Sequence, residues 1–145
     1  MVATDGDERP LTPDADKGRR PPRERFAGSE HVFDLRGIAT GLRDEHERAR
    51  DGHRQMTIYH QAPVTLVLFD FEAGARLTDH QADAQVTILA LTGLLEVSTP
   101  AQTHRLPEGS LLVLDPGARH DVFAPERSQM LLTVARLAER TRDDS

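Results

Sequence analysis

The chain has 145 residues, of which 24 are acidic and 18 basic, so its formal net charge is −6. The length corresponds to one domain, and the absence of cysteine excludes disulfide scaffolds, thiolate metal sites and cysteine nucleophiles. Only 4% of the residues are aromatic. Together with the acidic balance, this disfavours nucleic-acid binding, which needs a basic face and, for single strands, aromatic stacking platforms. No apolar run approaches the roughly 20 residues that span a bilayer, and no signal-peptide pattern opens the chain. We therefore expect a cytoplasmic protein without a membrane partner.

Composition divides the chain into four segments. Residues 1–30 are rich in proline, arginine and aspartate and almost without apolar residues, so they are predicted to be a disordered tail. In residues 31–52, apolar residues recur at helical spacing around Leu35–Leu42, which predicts a short helical segment. Residues 53–138 have the pattern of a β-barrel, and residues 139–145 are charged and expected to fray.

The β-barrel prediction for residues 53–138 rests on short apolar stretches that are separated by turn residues. No helical stretch separates them, which disfavours a parallel α/β fold. The predicted strands are Met56–Tyr59, Val64–Phe71, Arg76–His80, Val86–Leu91, Leu94–Val97, Thr103–Leu106, Leu111–Leu114, His120–Phe123 and Met130–Ala135. The predicted core contains Val64, Leu66, Leu68, Val86, Ile88, Leu111, Val113, Val122, Leu132 and Val134.

Two motifs lie in this region. In the first, Gly74 is followed after five residues by His80, and Gly93 comes later at a predicted hairpin turn. The second spans 109–120 and contains two glycines before it ends in His120. These stretches resemble the two motifs of the cupin superfamily. The resemblance implies a small single-domain, RmlC-like cupin, that is, an all-β fold built on an antiparallel jelly-roll β-barrel.

The resemblance also implies a site for a metal or another ligand. The first cupin motif usually supplies two histidines and a glutamate, and the second supplies one more histidine. His80 and His120 match two of these positions, whereas Ala82 and Val86 occupy the other two. Because a transition metal takes three or four protein ligands, no firmly held cofactor is predicted. A weakly bound divalent Zn, Fe, Mn or Ni, completed by a carboxylate, glutamine, water or substrate, stays open.

Strand alternation extends this expectation to a pocket. Residues 82, 86 and 88 share the face of His80, so the expected wall is apolar. We expect the two histidines to face each other in the barrel mouth and the pocket to take a small, largely apolar ligand with one or two polar anchors. The predicted ligand-binding residues are His80, Ala82, Val86, Ile88, His120 and Val122.

Other polar residues are assigned to solvent. His53 follows a turn glycine, where a surface imidazole is expected. Asp70 and Glu72 alternate with Phe69 and Phe71, which places both carboxylates on the solvent face of a strand. No phosphate-binding loop or nucleophile elbow occurs, so no catalytic residue is predicted.

Two classes of function remain open. One is a small cupin that binds a ligand beside His80 and His120 without chemistry of its own. The other is a metal-dependent cupin enzyme of the dioxygenase or isomerase type that uses both histidines as ligands. A DNA-associated regulator with the arginines of 19–25 as a basic arm ranks last, because the chain is acidic and lacks a helix-turn-helix pattern. We also expect a homodimer, since small cupins commonly pair through sheet edges and an apolar strand such as Val64–Phe69 would otherwise leave one exposed.

Overall fold

The computed structural model describes residues 28–45, 51–80 and 83–136, and it describes residues 79 and 80 by their backbone alone. Most of the predicted N-terminal tail, Ala82 and the predicted frayed end at 139–145 lie outside the described residues. One helix precedes the strands: α1 (Leu35–Arg43). The strands are β1 (His53–Gln61), β2 (Val64–Phe71), β3 (Ala75–His80), β4 (Ala84–Thr92), β5 (Leu94–Ser98), β6 (Thr103–Pro107), β7 (Leu111–Leu114), β8 (His120–Ala124) and β9 (Ser128–Arg136).

These strands form two antiparallel sheets that pack face to face as a jelly roll. The five-stranded sheet has the order β1-β2-β9-β4-β7, and the four-stranded sheet has the order β3-β8-β5-β6. Every predicted strand falls within one observed strand, so the predicted all-β antiparallel fold with a short helix is confirmed. The expectation that Val64–Phe69 leaves an exposed edge is wrong, because β2 pairs with β1 on one side and with β9 on the other. The edge strands are β1, β7, β3 and β6.

The main hydrophobic core lies between the two sheets. Alternate residues of β4 are buried, as a half-buried strand requires, and Phe71 and Ile88 of the larger sheet pack with Leu95 and Val122 of the smaller one. Of the predicted core residues, Leu68, Val86, Ile88 and Val122 are buried, whereas Val64, Leu66, Leu132 and Val134 are half-buried.

The prediction of which residues of β7 face the core is wrong. Leu111 and Val113 were expected in the core but are 59% and 52% exposed. Leu112 and Leu114 belong to the core instead. All four residues of β7 are apolar, so the strand has no polar alternation that could indicate which face points inward.

Helix α1 forms a second apolar cluster on the outer side of the larger sheet. The side chain of Asp34 caps the helix by accepting a hydrogen bond from the backbone N–H of Gly37 at 3.1 Å. Leu42 of the helix is buried with Ile58 of β1 and Leu68 of β2. Because α1 covers the outer side of β2 and the core covers its inner side, Val67–Phe71 is buried at every position. Within the described residues, no helix is long and apolar enough to cross a membrane.

Asp70 is the main exception to the predicted polar surface. Predicted on a solvent face, it is fully buried. Its Oδ2 accepts a hydrogen bond from Nη2 of Arg127 at 2.8 Å, and its Oδ1 accepts one from Nε of Arg43 at 3.4 Å. Arg43 ends helix α1, so the helix that covers this carboxylate also supplies one of its two partners. Glu72 is half-exposed, as expected.

Candidate functional site

His120 begins β8 and lies on the inward face of that strand. Its exposed fraction is 6%, and Val122 and Ala124 follow on the same face with exposed fractions near zero. The imidazole is therefore largely enclosed, and its part in a binding site stays a prediction.

The strand register brings positions 80 and 120 together. In the pairing of β3 with β8, Leu77 stands opposite Val122, and after an irregularity in β3 His80 stands opposite His120. Residues directly opposite each other in an antiparallel pair are the closest neighbours across the ladder. The backbone thus pairs the two predicted site residues, while their shared site stays a prediction.

A cavity of about 370 Å³ opens beside His120. Polar groups from the end of β3, the turn after β5 and the start of β8 form most of its wall. The lining residues are Thr78, Ser98, Thr99, Pro100, Arg119, His120 and Asp121. The wall therefore offers hydroxyl, guanidinium, imidazole and carboxylate groups.

The predicted apolar wall lies elsewhere. Val86, Ile88 and Val122 are packed in the core between the sheets, and none of the three lines the cavity beside His120. Ala82 is outside the described residues. The strands carry these side chains into the closed interior, so the opening itself is bordered by polar residues at strand ends.

A backbone contact orients the imidazole of His120. Its Nδ1 lies 3.4 Å from the carbonyl oxygen of Ala118. Because a carbonyl oxygen can only accept, Nδ1 is the donor in this long hydrogen bond. In the neutral ring, Nε2 is then the nitrogen that carries a lone pair, which is the form that accepts a hydrogen bond or binds a metal.

The described side chains do not assemble a metal centre. Within residues 28–45, 51–78 and 83–136, no three histidine, aspartate or glutamate side chains lie together where they could hold an ion. His120 and Asp121 are the imidazole and carboxylate on the wall of this cavity, and a transition metal takes three or four protein ligands. These residues therefore do not by themselves fit a tightly held metal.

The structure contradicts the surface assignment of one other histidine. His53 is only 8% exposed and packs against the rings of Phe69 and Phe71 at centroid distances of 5.6 and 5.8 Å. It faces the barrel interior because α1 covers the opposite, apolar face of β1. The sequence assigned it to the surface because it follows a turn glycine, and the predicted strand began only at Met56, whereas β1 begins at His53 itself. His53 lines a second cavity, which sequence analysis missed.

The architecture was compared with known proteins. No protein-family model matches the chain, and no curated protein matches it. Solved structures do match. A cupin superfamily protein from Desulfitobacterium hafniense DCB-2 is 18% identical and has a TM-score of 0.61, with 76% of this chain and 94% of that chain covered. An RmlC-like cupin from Shewanella frigidimarina NCIMB 400 is 17% identical and has a TM-score of 0.58, with 66% and 86% covered. The chain has the cupin fold.

A third match shows how far the cupin fold informs function. A conserved protein of unknown function from Streptococcus pyogenes, SPY1581, is 23% identical and has a TM-score of 0.62, with 77% of this chain and 91% of that chain covered. A likeness at such identities shows the fold alone and does not indicate an activity. Function therefore has to be argued from the side chains of this chain.

Proposed function

We propose that the chain binds a small polar molecule in the cavity beside His120, with His80 as the second site residue. The observation that carries the proposal is the cavity of about 370 Å³ in which a buried imidazole stands among exposed and half-buried polar residues. Cavities of this size, with a few convergent polar groups, are typical of small-molecule sites.

The lining determines the chemistry of the ligand. Arg119 and Asp121 flank His120 in sequence and line the same cavity, and Thr78, Ser98 and Thr99 add hydroxyl groups. These groups can both donate and accept hydrogen bonds. A ligand with oxygen or nitrogen atoms at several positions can form hydrogen bonds with this wall, whereas an apolar ligand cannot.

A metal-dependent enzyme is the second candidate. It is favoured by the register that places His80 opposite His120, because two imidazoles at adjacent positions would supply two metal ligands. Metal analysis of the purified protein separates the two functions. Stoichiometric Fe, Mn, Ni or Zn that is lost in His80→Ala or His120→Ala would establish the second function over the first. Such a metal would also be released as pH falls, since imidazole ligands must be deprotonated.

The binding proposal is tested by screening a set of small alcohols, amides and carboxylic acids by ¹H–¹⁵N NMR. We expect saturable shifts at residues 98–99 and 119–121, and their loss in His120→Asn. The control is His104→Asn, on the edge strand β6 and outside this cavity, which should bind as the unmodified chain does. Equal binding by both variants, or no shifts at these residues for any compound, would contradict the proposal.

A further inference from the structure

A second and larger cavity, of about 530 Å³, lies between the edge strands β1 and β3. The turn before β1 and the first half of β3 form its wall. The lining residues are Asp51, His53, Gly74, Arg76, Leu77 and Thr78. Of the residues that the sequence assigned to a site, the four with described side chains, Val86, Ile88, His120 and Val122, do not belong to this wall.

Close contact fixes the two sides of this cavity relative to each other. A Cβ on Gly52 would come within 2.9 Å of the Cβ of Ala75, so the turn packs directly on β3. The backbone N–H of Glu72 donates to the carbonyl oxygen of Gly52 at 2.8 Å. The approach of Gly52 to Ala75 therefore joins the turn before β1 to β3, which belong to different sheets.

Arg76 provides a fixed positive charge at this cavity. Its guanidinium carbon lies 4.5 Å from the ring centroid of Phe123. Among the described residues, no carboxylate lies within ion-pair distance of it. The N–H groups of a guanidinium lie in its plane, so stacking one face on an aromatic ring does not block them. Two of these N–H groups can form parallel hydrogen bonds with a carboxylate.

The imidazole of His53 needs a hydrogen-bond donor, whereas the guanidinium of Arg76 needs an acceptor. Its Nε2 lies 3.2 Å from Oε1 of Gln55, and because an amide oxygen only accepts, Nε2 is the donor. In the neutral ring, Nδ1 is then an acceptor, and it is buried without a hydrogen-bond partner in the described part of the chain. A buried acceptor without a donor is unfavourable, and a hydroxyl group would supply that donor.

Asp51 adds a negative charge to the wall from the turn before β1. Its φ is +54°, a left-handed conformation that Asp and Asn tolerate better than most residues. A carboxylate at this position accepts a hydrogen bond from a hydroxyl and repels a ligand that carries two negative charges.

We propose that the cavity between β1 and β3 binds a small monocarboxylate that carries a hydroxyl group, such as a 2-hydroxy acid. The carboxylate of the ligand pairs with Arg76, and the single hydroxyl proton is donated either to Nδ1 of His53 or to the carboxylate of Asp51. Among the residues with described side chains, the two cavities share only Thr78. The proposal does not depend on the proposed function at His120.

The experiment is a ¹H–¹⁵N NMR titration of the full chain with L-lactate, propionate and inorganic phosphate. We expect lactate to cause saturable shifts at residues 51–53 and 74–78. Propionate lacks the hydroxyl and should bind several-fold more weakly, which is the effect of about one hydrogen bond. Phosphate should also bind more weakly than lactate, because Asp51 repels its second charge.

Variants identify the groups responsible. Arg76→Gln should weaken lactate binding by about tenfold or more, the effect of losing a charge-assisted hydrogen bond. Arg136→Gln is the matched control, since Arg136 is exposed at the end of β9 and outside this cavity. Asp51→Asn keeps a residue type that tolerates positive φ. Because it removes the negative charge, it should reduce the difference in affinity between phosphate and lactate.

Three results would overturn the proposal. The first is the absence of saturable lactate shifts at residues 51–53 and 74–78. The second is an equal lactate affinity of Arg76→Gln and Arg136→Gln in folded protein, as judged by the dispersion of the spectra. The third is shifts confined to residues 98–99 and 118–121, which would assign the anion to the cavity beside His120 and leave the function proposed there intact.

Discussion

Gly93 is the residue at which the chain passes from β4 of the larger sheet to β5 of the smaller sheet, and it has no room for a side chain. Its φ is +81°, and a Cβ there would overlap the Oγ of Ser128 and the carbonyl oxygen of Arg127. Ser128 is fully buried. Its Oγ accepts from the N–H of Leu94 at 3.0 Å and donates to the carbonyl of Leu94 at 2.9 Å. Because Gly93 allows this close approach, the side chain of Ser128 can form hydrogen bonds that join the hairpin to the start of β9.

Substitution of Gly93 by alanine should destabilise the fold through two effects, the left-handed backbone and the overlap with Ser128. Gly109→Ala is the matched control, because Gly109 has a φ of +89° but no atom within 4 Å of its Cβ position. We expect the control to lower the free energy of unfolding by about 1 to 2 kcal/mol. Gly93→Ala should lower it by at least about 1 kcal/mol more, because the displaced, buried hydroxyl of Ser128 loses its hydrogen bonds. Urea unfolding measures both values. Equal losses of unfolding free energy would show that the hydrogen bonds of Ser128 do not contribute to stability.

At the scale of elements, helix α1 is attached to the sheet by two ion pairs of different kinds. Asp70 is fully buried between Arg43 of the helix and Arg127 of the loop before β9. Arg36 at the other end of the helix pairs with Glu108 at 3.1 Å, and both side chains are more than half exposed. Solvent screens the second pair but not the first, so the buried carboxylate should carry most of the attachment.

Asp70→Asn and Glu108→Gln remove one charge each and keep the side-chain size. We expect Asp70→Asn to lower the free energy of unfolding by about 2 to 3 kcal/mol, because it leaves two arginines around a neutral amide. Glu108→Gln should cost less than about 1 kcal/mol, as exposed pairs do. The measurement is chemical unfolding at low and moderate salt, and a comparable cost for the two variants would refute the expected difference.

The elements also show which features a single sequence can predict. Strand positions followed from turn residues and apolar runs, and two glycine-and-histidine motifs indicated the barrel type. The inward face of β7 did not follow, because Leu111–Leu114 is apolar at every position. Asp70 was misplaced because a strand pattern assumes one solvated face, and here α1 covers the outer face of β1 and β2. His53 was misplaced for another reason: it was assigned to a turn, whereas β1 begins at that residue and packs it against Phe69 and Phe71.

The candidate site was predictable only in part. The spacing of the second motif located His120, and the register pairs it with His80. The polar wall could not be predicted, because Ser98, Thr99 and Arg119 come from turns that are distant in sequence from the first motif. The cavity at β1 and β3 depends on contact between edges of different sheets, for which strand alternation gives no signal.

At the scale of the whole molecule, the residues that the structure describes cover the outer face of the larger sheet on one side only. Helix α1 packs on β1 and β2, whereas Leu111 and Val113 at the far edge are exposed. The pairings place Leu111, Leu89, Leu131 and Leu68 in one row across four strands. An edge strand with exposed apolar residues is prone to association, which favours the homodimer expected from the sequence.

We propose that this homodimer forms through β7 and the adjoining face. Sedimentation at tens of micromolar should give about twice the single-chain mass of 16.1 kDa, and Leu111→Glu should shift the mass towards one chain. Val32→Glu is the control, because Val32 is 88% exposed but precedes α1 and lies outside the sheet. A single-chain mass for the unmodified protein would rule out the dimer, and a dimer that survives Leu111→Glu would rule out this face.

The burial of β2 on both sides has a consequence for how freely this chain can vary. In a library of all single substitutions, β4 should show tolerated and rejected positions in strict alternation, following its alternating burial. Positions 67–71 of β2 should reject most changes without interruption, because every one of them is enclosed. Homologous sequences would then vary little along β2 and would keep a hydrophobic run that contains one acidic residue, Asp70. Such continuous hydrophobic runs are usually found in the central strands of parallel sheets. That short segment would be the most slowly changing part of the molecule, although it lies outside both cavities.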